Sequence, residues 1–320
     1  MLSIPVNSEF RIANPVSHFM TYYNKLTTKI TLVSLLLPMV VLTSSRQVEA
    51  DLVLIHEEKS MYRNIFVMEH NGLRCLGFQL DFRQSCQYLA RDNYLVWDYV
   101  KAIFLGLLFV EAPKRILIVG LGGGSIPTAM QEMFPDLIID VVELDQAVLN
   151  VAKEYFNLQL SDQLKVHIGD GRVFINRAVQ KNAVYDVVIL DAFDESYIPY
   201  HLTTVEFFEA VYQVLASDGV LVANTFSNST FFDRESKTVH AVFGNFLSYV
   251  NDTNTRLVIA LKMQETHEIV RRRLERVVPK LQLKHISIDD YYAQIVRDPV
   301  WVNDAKILTD QLAPVNLLKD

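Results

Sequence analysis

Between Arg115 and Asp194 the chain repeats one pattern: a short apolar run, a polar or glycine-bearing turn, then a stretch with helical periodicity. The runs are Ile116-Leu-Ile-Val119, Ile138-Ile-Asp-Val-Val-Glu143, Leu164-Lys-Val-His-Ile168 and Tyr185-Asp-Val-Val-Ile-Leu190, and Val220-Leu-Val-Ala-Asn224 extends the series. Apolar runs this short suit parallel strands covered on both faces. The spacing predicts helices over Pro127–Met133, Val148–Phe156, Gly171–Val179 and Thr204–Leu215. Strands and helices alternating in this way demand right-handed crossovers, so the expected fold is α/β, a doubly wound Rossmann-like sheet. Beyond it the pattern predicts a helix over Ser236–Phe246, a strand near Leu257–Leu261 and a charged helix over Glu265–Val278.

Upstream the pattern differs. Leu52–Ile55, Asn64–Met68 and Leu73–Phe78 are short β-prone runs, two of them joined by His70-Asn-Gly72. Asn-Gly between such runs signals a tight hairpin, so a small antiparallel β-hairpin domain is expected over 51–92, followed by a helix over Tyr94–Val110. Cys75 and Cys86 are the only cysteines. They read as two small buried side chains, with a disulfide expected only in an exported chain. Lys25 and Lys29 precede the apolar run Ile30–Leu42, and Val48-Glu-Ala50 has the small-residue pattern of a cleavage site. Residues 1–50 therefore read as a signal peptide or a hydrophobic N-terminal membrane anchor, the run being short for a full span of about 20 residues. Residues 93–320 form the Rossmann-like binding and catalytic domain.

A net charge of −7 argues against nucleic acid as a partner and suits a cationic substrate. No cysteine or histidine cluster points to a metal. The basic triplet Arg271-Arg-Arg273 reads as a solvated helix face.

In open α/β sheets the ligand sits beyond the carboxyl ends of the strands, at the switch point. Four strand ends carry candidate residues. Gly120-Leu-Gly-Gly-Gly-Ser125 offers glycines at 120, 122 and 124 that let backbone approach a ligand ahead of a helix N-terminus. Glu143 ends the second strand nineteen residues after Gly124, placed to accept from ribose hydroxyls. Asp170, in Gly169-Asp-Gly171, is a carboxylate for an adenine amino group or a helix N-cap. Asp191 and Asp194 leave the fourth strand three residues apart. Such a pair can hold a cationic amine and take its proton, with like charge raising one pKa. Together these features favour a nucleoside ligand.

This set resembles the spermidine synthase family, the polyamine aminopropyltransferases, in its divergent spermidine synthase-like branch. The resemblance covers roughly 52–250 and rests on the glycine loop, Val142-Glu-Leu-Asp145, Ile168-Gly-Asp-Gly171, the aspartate pair and Gln87-Tyr-Leu-Ala-Arg-Asp92. It implies the class I methyltransferase fold, with decarboxylated S-adenosylmethionine or S-adenosylmethionine as co-substrate, a small amine substrate, no metal and a homodimer. It implies that Gln87 contacts ligand, Glu143 binds ribose, Asp170 and Gly171 receive the base, Asp191 is base and amine ligand, and Asp194 binds an amino group. Three departures stand out. Gly123 occupies the place of a cofactor-gripping Asp, Val96-Trp97-Asp98 replaces Tyr-His-Glu, and Asp194-Glu195 replaces Asp-Pro.

The implied activity is aminopropyl transfer to an amine such as putrescine. An S-adenosylmethionine-dependent methyltransferase and a non-catalytic nucleoside-binding protein are the alternatives. Because the co-substrate is cytosolic, a cytoplasmic catalytic domain with an N-terminal anchor is expected, with export by a signal peptide as the alternative.

Overall fold

The computed structural model describes residues 52–80, 83–91, 94–193, 198–263, 267–297, 300–302 and 304–312. Glu49–Asp320 forms one compact unit built on two sheets. The first sheet is antiparallel: β1 (Val53–Lys59), β2 (Asn64–His70), β3 (Leu73–Gly77) and β4 (Arg83–Tyr88) lie side by side in sequence order. The β2–β3 turn is the expected hairpin, with Asn71 and Gly72 both at positive φ and His70 facing Leu73.

Strand β4 was not expected, because Arg83-Gln-Ser-Cys-Gln-Tyr88 lacks an apolar alternation. Its register places Cys86 directly opposite Cys75, and the two form a disulfide. The reading of these cysteines as unpaired side chains is corrected: eleven residues apart in sequence, they are cross-strand neighbours once β4 folds back on β3.

The second sheet is built from α1 (Asp98–Ile103), β5 (Arg115–Val119), α2 (Ser125–Met133), β6 (Ile138–Glu143), α3 (Gln146–Tyr155), β7 (Leu164–Ile168), α4 (Gly171–Gln180), β8 (Tyr185–Leu190), α5 (Val205–Val214), β9 (Leu215–Phe226), α6 (Phe232–Phe243), β10 (Phe246–Val250), β11 (Thr255–Leu261), α7 (His267–Leu281), α8 (Ile288–Ala293) and β12 (Val296–Arg297). Its strand order is β12-β10-β11-β9-β8-β5-β6-β7. From β7 across to β9 the pairing is parallel, and β11 and β10 close the far side antiparallel. The order reverses between β5 and β8, which is the switch point of a doubly wound sheet.

Burial follows strand alternation. Ile116 and Ile118 face the layer of α1, α2 and α7, whereas Leu117 and Val119 face α4, α5 and α6. A third cluster joins Ile65, Val67 and Leu76 of the small sheet to Val148, Val151 and Phe156 around α3, fixing that sheet over the strand ends. The helix expected over Tyr94–Val110 is shorter. It begins at Asp98 and tightens into a 3-10 turn over Phe104–Phe109, where Gly106 comes so close to Val222 that a β-carbon would lie 2.5 Å from it. Arg273 corrects the expectation for the basic triplet: it is buried and donates to Glu111, while Arg271 and Arg272 are exposed.

Among the described residues no helix is long and apolar enough to cross a membrane. The run Ile30–Leu42 lies outside them.

The disulfide closes a short loop in the unfolded chain, so Cys86→Ser should cost about 2–3 kcal/mol. Chemical denaturation of both forms with and without reductant measures this, and reductant should lower the wild type alone.

Candidate active site

A cleft opens at the carboxyl ends of β5, β6, β7 and β8, lined by residues from all four strand ends, where an open α/β sheet places its ligand site. The small sheet roofs it with Arg63, Phe78, Gln84 and Ser85. The glycine loop forms its floor. Gly120 has φ +101° and lies so near β8 that a β-carbon would sit 2.2 Å from the Asp191 carbonyl oxygen. Gly122 also lines the cleft, but Gly124 does not: it caps α2 at φ +78° and packs on Leu158. At Gly123 a β-carbon would fall 2.9 Å from Ser85 Oγ and 3.0 Å from Phe156 Cδ1, so the space for an acid there is already filled. Gly171 lines the cleft as the first residue of α4 and lets that helix close on Val119.

Glu143 ties two loops together. Its Oε2 accepts from the Leu121 N–H and its Oε1 from the Asp145 N–H, both at 3.0 Å. Burial raises its pKa, while those two N–H groups and the nearby Arg63 charge pull the other way. Each oxygen has a second lone pair, and Glu143 lines the cleft, so the carboxylate can accept from a diol there. Asp170 is the N-cap of α4, its Oδ1 accepting from the Val173 N–H, and it also lines the cleft. Its Oδ2 lies 2.8 Å from His201 Nε2. The turn bearing His201 is held in place by Arg172, which donates to the His201 carbonyl and pairs with Asp310.

At the other end of the cleft, Asp191 leaves β8 with its Oδ1 accepting from Asn224 Nδ2 at 2.8 Å. Burial pushes its pKa up to about 7, against the lowering effect of Asn224. Tyr99 of α1 lines the same end, and burial followed by the Asp191 charge raises its phenol well above the ordinary value. The arrangement is a glycine-floored cleft ending in a desolvated carboxylate poised to take a proton near neutrality.

Two of the expected residues among those described, Gly124 and Gln87, do not line this cleft. Gln87 is not among the cleft-lining residues: it lies further along β4 than Gln84 and Ser85, and its Nε2 donates to the Tyr155 carbonyl at 3.2 Å. Asp194 lies outside the described residues. Sequence reasoning missed Arg63, Ser85, Tyr99 and Asn224. Of these only Asn224 carried a signal, as a polar residue ending an apolar strand. Among the described residues no cluster of metal-ligating side chains occurs.

Fold and site together define a methyltransferase-type sheet with a polar cleft at its switch point. Solved structures share that fold: a probable spermidine synthase from Corynebacterium glutamicum ATCC 13032 (TM-score 0.62, 18% identity, 82% of this chain and 98% of that one) and human methyltransferase-like protein 13 in complex with SAH (TM-score 0.54, 24% identity, 68% and 100%). The spermine/spermidine synthase domain model matches residues 102–258. A polyamine aminopropyltransferase from Vibrio vulnificus (strain CMCP6) is 41% identical over 273 residues, covering 83% of this chain and 91% of that protein. The eEF1A lysine and N-terminal methyltransferase of Bos taurus is 35% identical over 147 residues, covering 41% of this chain and 21% of that protein. The chain belongs to the polyamine aminopropyltransferase family, a family of transferases.

The raised Asp191 pKa has a stability consequence. The folded state holds the proton up to about pH 7, whereas the unfolded chain releases it near pH 4. Stability is therefore lost as pH rises through that window. Asp191→Asn removes the loss, so its thermal stability should match wild type at pH 4 and exceed it at pH 8. The difference at pH 8 is about 4 kcal/mol at most.

Proposed function

We propose that the chain transfers an aminopropyl group from decarboxylated S-adenosylmethionine to a small amine such as putrescine. The observation that carries this reading is Asp191, a half-buried carboxylate that lines the cleft beside the glycine loop and whose desolvation raises its pKa to about 7. Glu143 would accept from the ribose hydroxyls, and Asp170 would meet the adenine amino group. Asp194 would hold a second amino group. With the sulfonium carbon presented toward Asp191, the amine enters as a cation, gives a proton to Asp191 and attacks in line. Methylthioadenosine leaves with the C–S bonding pair. No step needs a metal, and holding both reactants in line is itself worth about 7–11 kcal/mol.

Three supports bear on the acceptor. The net charge of −7 suits a cation. The Vibrio vulnificus relative is named for polyamine aminopropyl transfer. A carboxylate at the reacting end both attracts an ammonium and neutralises it.

The second reading, methyl transfer from S-adenosylmethionine, is favoured by one observation. Gly123 stands where the family keeps an acid, and Ser85 and Phe156 fill that space. This removes a negative charge from beside the methionine tail. Thermal shift with each cofactor separates the two readings: decarboxylated S-adenosylmethionine should stabilise the protein more, and a preference for the carboxylated form would favour methyl transfer.

Purified full-length protein given decarboxylated S-adenosylmethionine and putrescine should release spermidine and methylthioadenosine in equal amounts, and binding without turnover across several diamines would refute the assignment. The rate should climb with pH through about 7 as Asp191 ionises. Glu143→Ala should weaken methylthioadenosine binding by calorimetry about 10- to 100-fold, the usual worth of hydrogen bonds to a charged group.

A further inference from the structure

Asp191 does not act alone at the end of β8. The parallel register sets Leu190 beside Ala223, so the next pair along is Asp191 and Asn224. Asn224 Nδ2 donates to Asp191 Oδ1 at 2.8 Å. The asparagine is only 6% exposed. Its own Oδ1 is buried with no hydrogen-bond partner among the described residues.

That orphaned acceptor costs stability. A leucine of similar size would fill the same strand position without the penalty, and the rest of β9 from Val220 to Ala223 is apolar and buried. Packing therefore does not account for an amide here. What the amide does is bind one oxygen of the carboxylate.

We infer that Asn224 is a positioning residue for Asp191: by occupying Oδ1 it leaves Oδ2 as the oxygen that takes the acceptor amine's proton, and it holds the carboxylate plane toward the cleft. In the step this serves, an N–H bond of the acceptor ammonium breaks and an O–H bond forms on Oδ2. The nitrogen lone pair so freed attacks the carbon beside the sulfonium. The inference rests on the reading of Asp191 as base.

Among the described residues, the surroundings offer no substitute for the amide. Tyr99 of α1 is the titratable group facing Asp191, and burial keeps its phenol neutral. Arg63 donates to the Phe193 carbonyl two residues on, and its charge acts on Glu143. Burial raises Asp191 and Asn224 is what opposes it. Removing the donor therefore drives the carboxyl further toward its protonated form.

The test is the pH profile of kcat/KM for aminopropyl transfer by full-length wild type and Asn224→Leu, from pH 5.5 to 10. The acid limb should move to higher pH by about one to two units, the worth of one hydrogen bond to a charged group. The rate should recover toward wild type above the shifted limb. Methylthioadenosine affinity should stay within twofold, and Tm measured below about pH 6, where the carboxyl is protonated in both proteins, should not fall. A rate lowered equally at every pH, with the limb in place, would overturn the inference. So would an unmoved limb with a lower Tm, which marks a purely structural role. If Asn224→Leu does not fold, Asn224→Ala, which cannot overfill the site, gives the same readout. Asp191→Asn separates the two levels of the argument. Wild-type rate and limb in that variant would refute Asp191 as base, whereas loss of turnover there with an unmoved limb in Asn224→Leu would refute the positioning role alone.

Discussion

The site depends on how closely β5 and β8 approach at the switch point. Gly120 carries no side chain because a β-carbon would strike the Asp191 carbonyl at 2.2 Å, and its φ of +101° is one that residues with side chains rarely adopt. Backbone hydrogen bonds fix the junction: the Asp191 N–H donates to the Val119 carbonyl, and the Gly120 N–H donates to the Val142 carbonyl of β6. Three strand ends are thereby locked within a few ångströms of one another. In the proposed reaction, the loop that would cradle the cofactor and the carboxylate that would meet the amine are parts of one rigid junction. Catalysis by orientation needs that rigidity, because a displacement of about 1 Å can cost two orders of magnitude in rate.

The same packing sets the electrostatics. Glu143 and Asp191 are both desolvated, and burial raises both. Their partners differ. Glu143 receives two backbone N–H groups and the field of Arg63, which stabilise its ionised form as a fixed acceptor. Among the described residues Asp191 has one neutral amide donor, which leaves its charge poorly compensated and its proton affinity high. Two carboxylates in one cleft thus suit different tasks through their surroundings. The cost of keeping Asp191 buried is met by the apolar core on both sheet faces, where Ile116, Leu117, Ile118, Val188 and Ile189 are fully buried.

Much of this was legible in the sequence, because hydrophobic period and turn chemistry are local signals. The five parallel strands announced themselves as apolar runs, and Asn71-Gly72 announced its hairpin. Glycines and acids at strand ends converge by topology alone, so Gly120, Glu143, Asp170 and Asp191 were found. What escaped detection depends on tertiary contact. Strand β4 is polar and is held by its pairing with β3. Asp140 sits inside a strand read as apolar, and only the fold shows that Arg115, His167 and Tyr185 surround it. Gln87 matched a family motif, yet it does not line the cleft, and its Nε2 donates to the Tyr155 carbonyl. Tyr99 and Asn224 come from distant segments whose side chains meet only where α1 and β9 reach the end of β8.

Everything proposed for the reaction turns on Asp191, a carboxyl group whose proton affinity desolvation lifts to neutrality. Carbon-13 NMR of protein labelled at aspartate side-chain carboxyls, with the Asp191 resonance assigned by its loss in the asparagine variant, reads this directly. The account predicts a titration midpoint near pH 7 in the ligand-free enzyme. A midpoint near 4, the ordinary aspartate value, would contradict it.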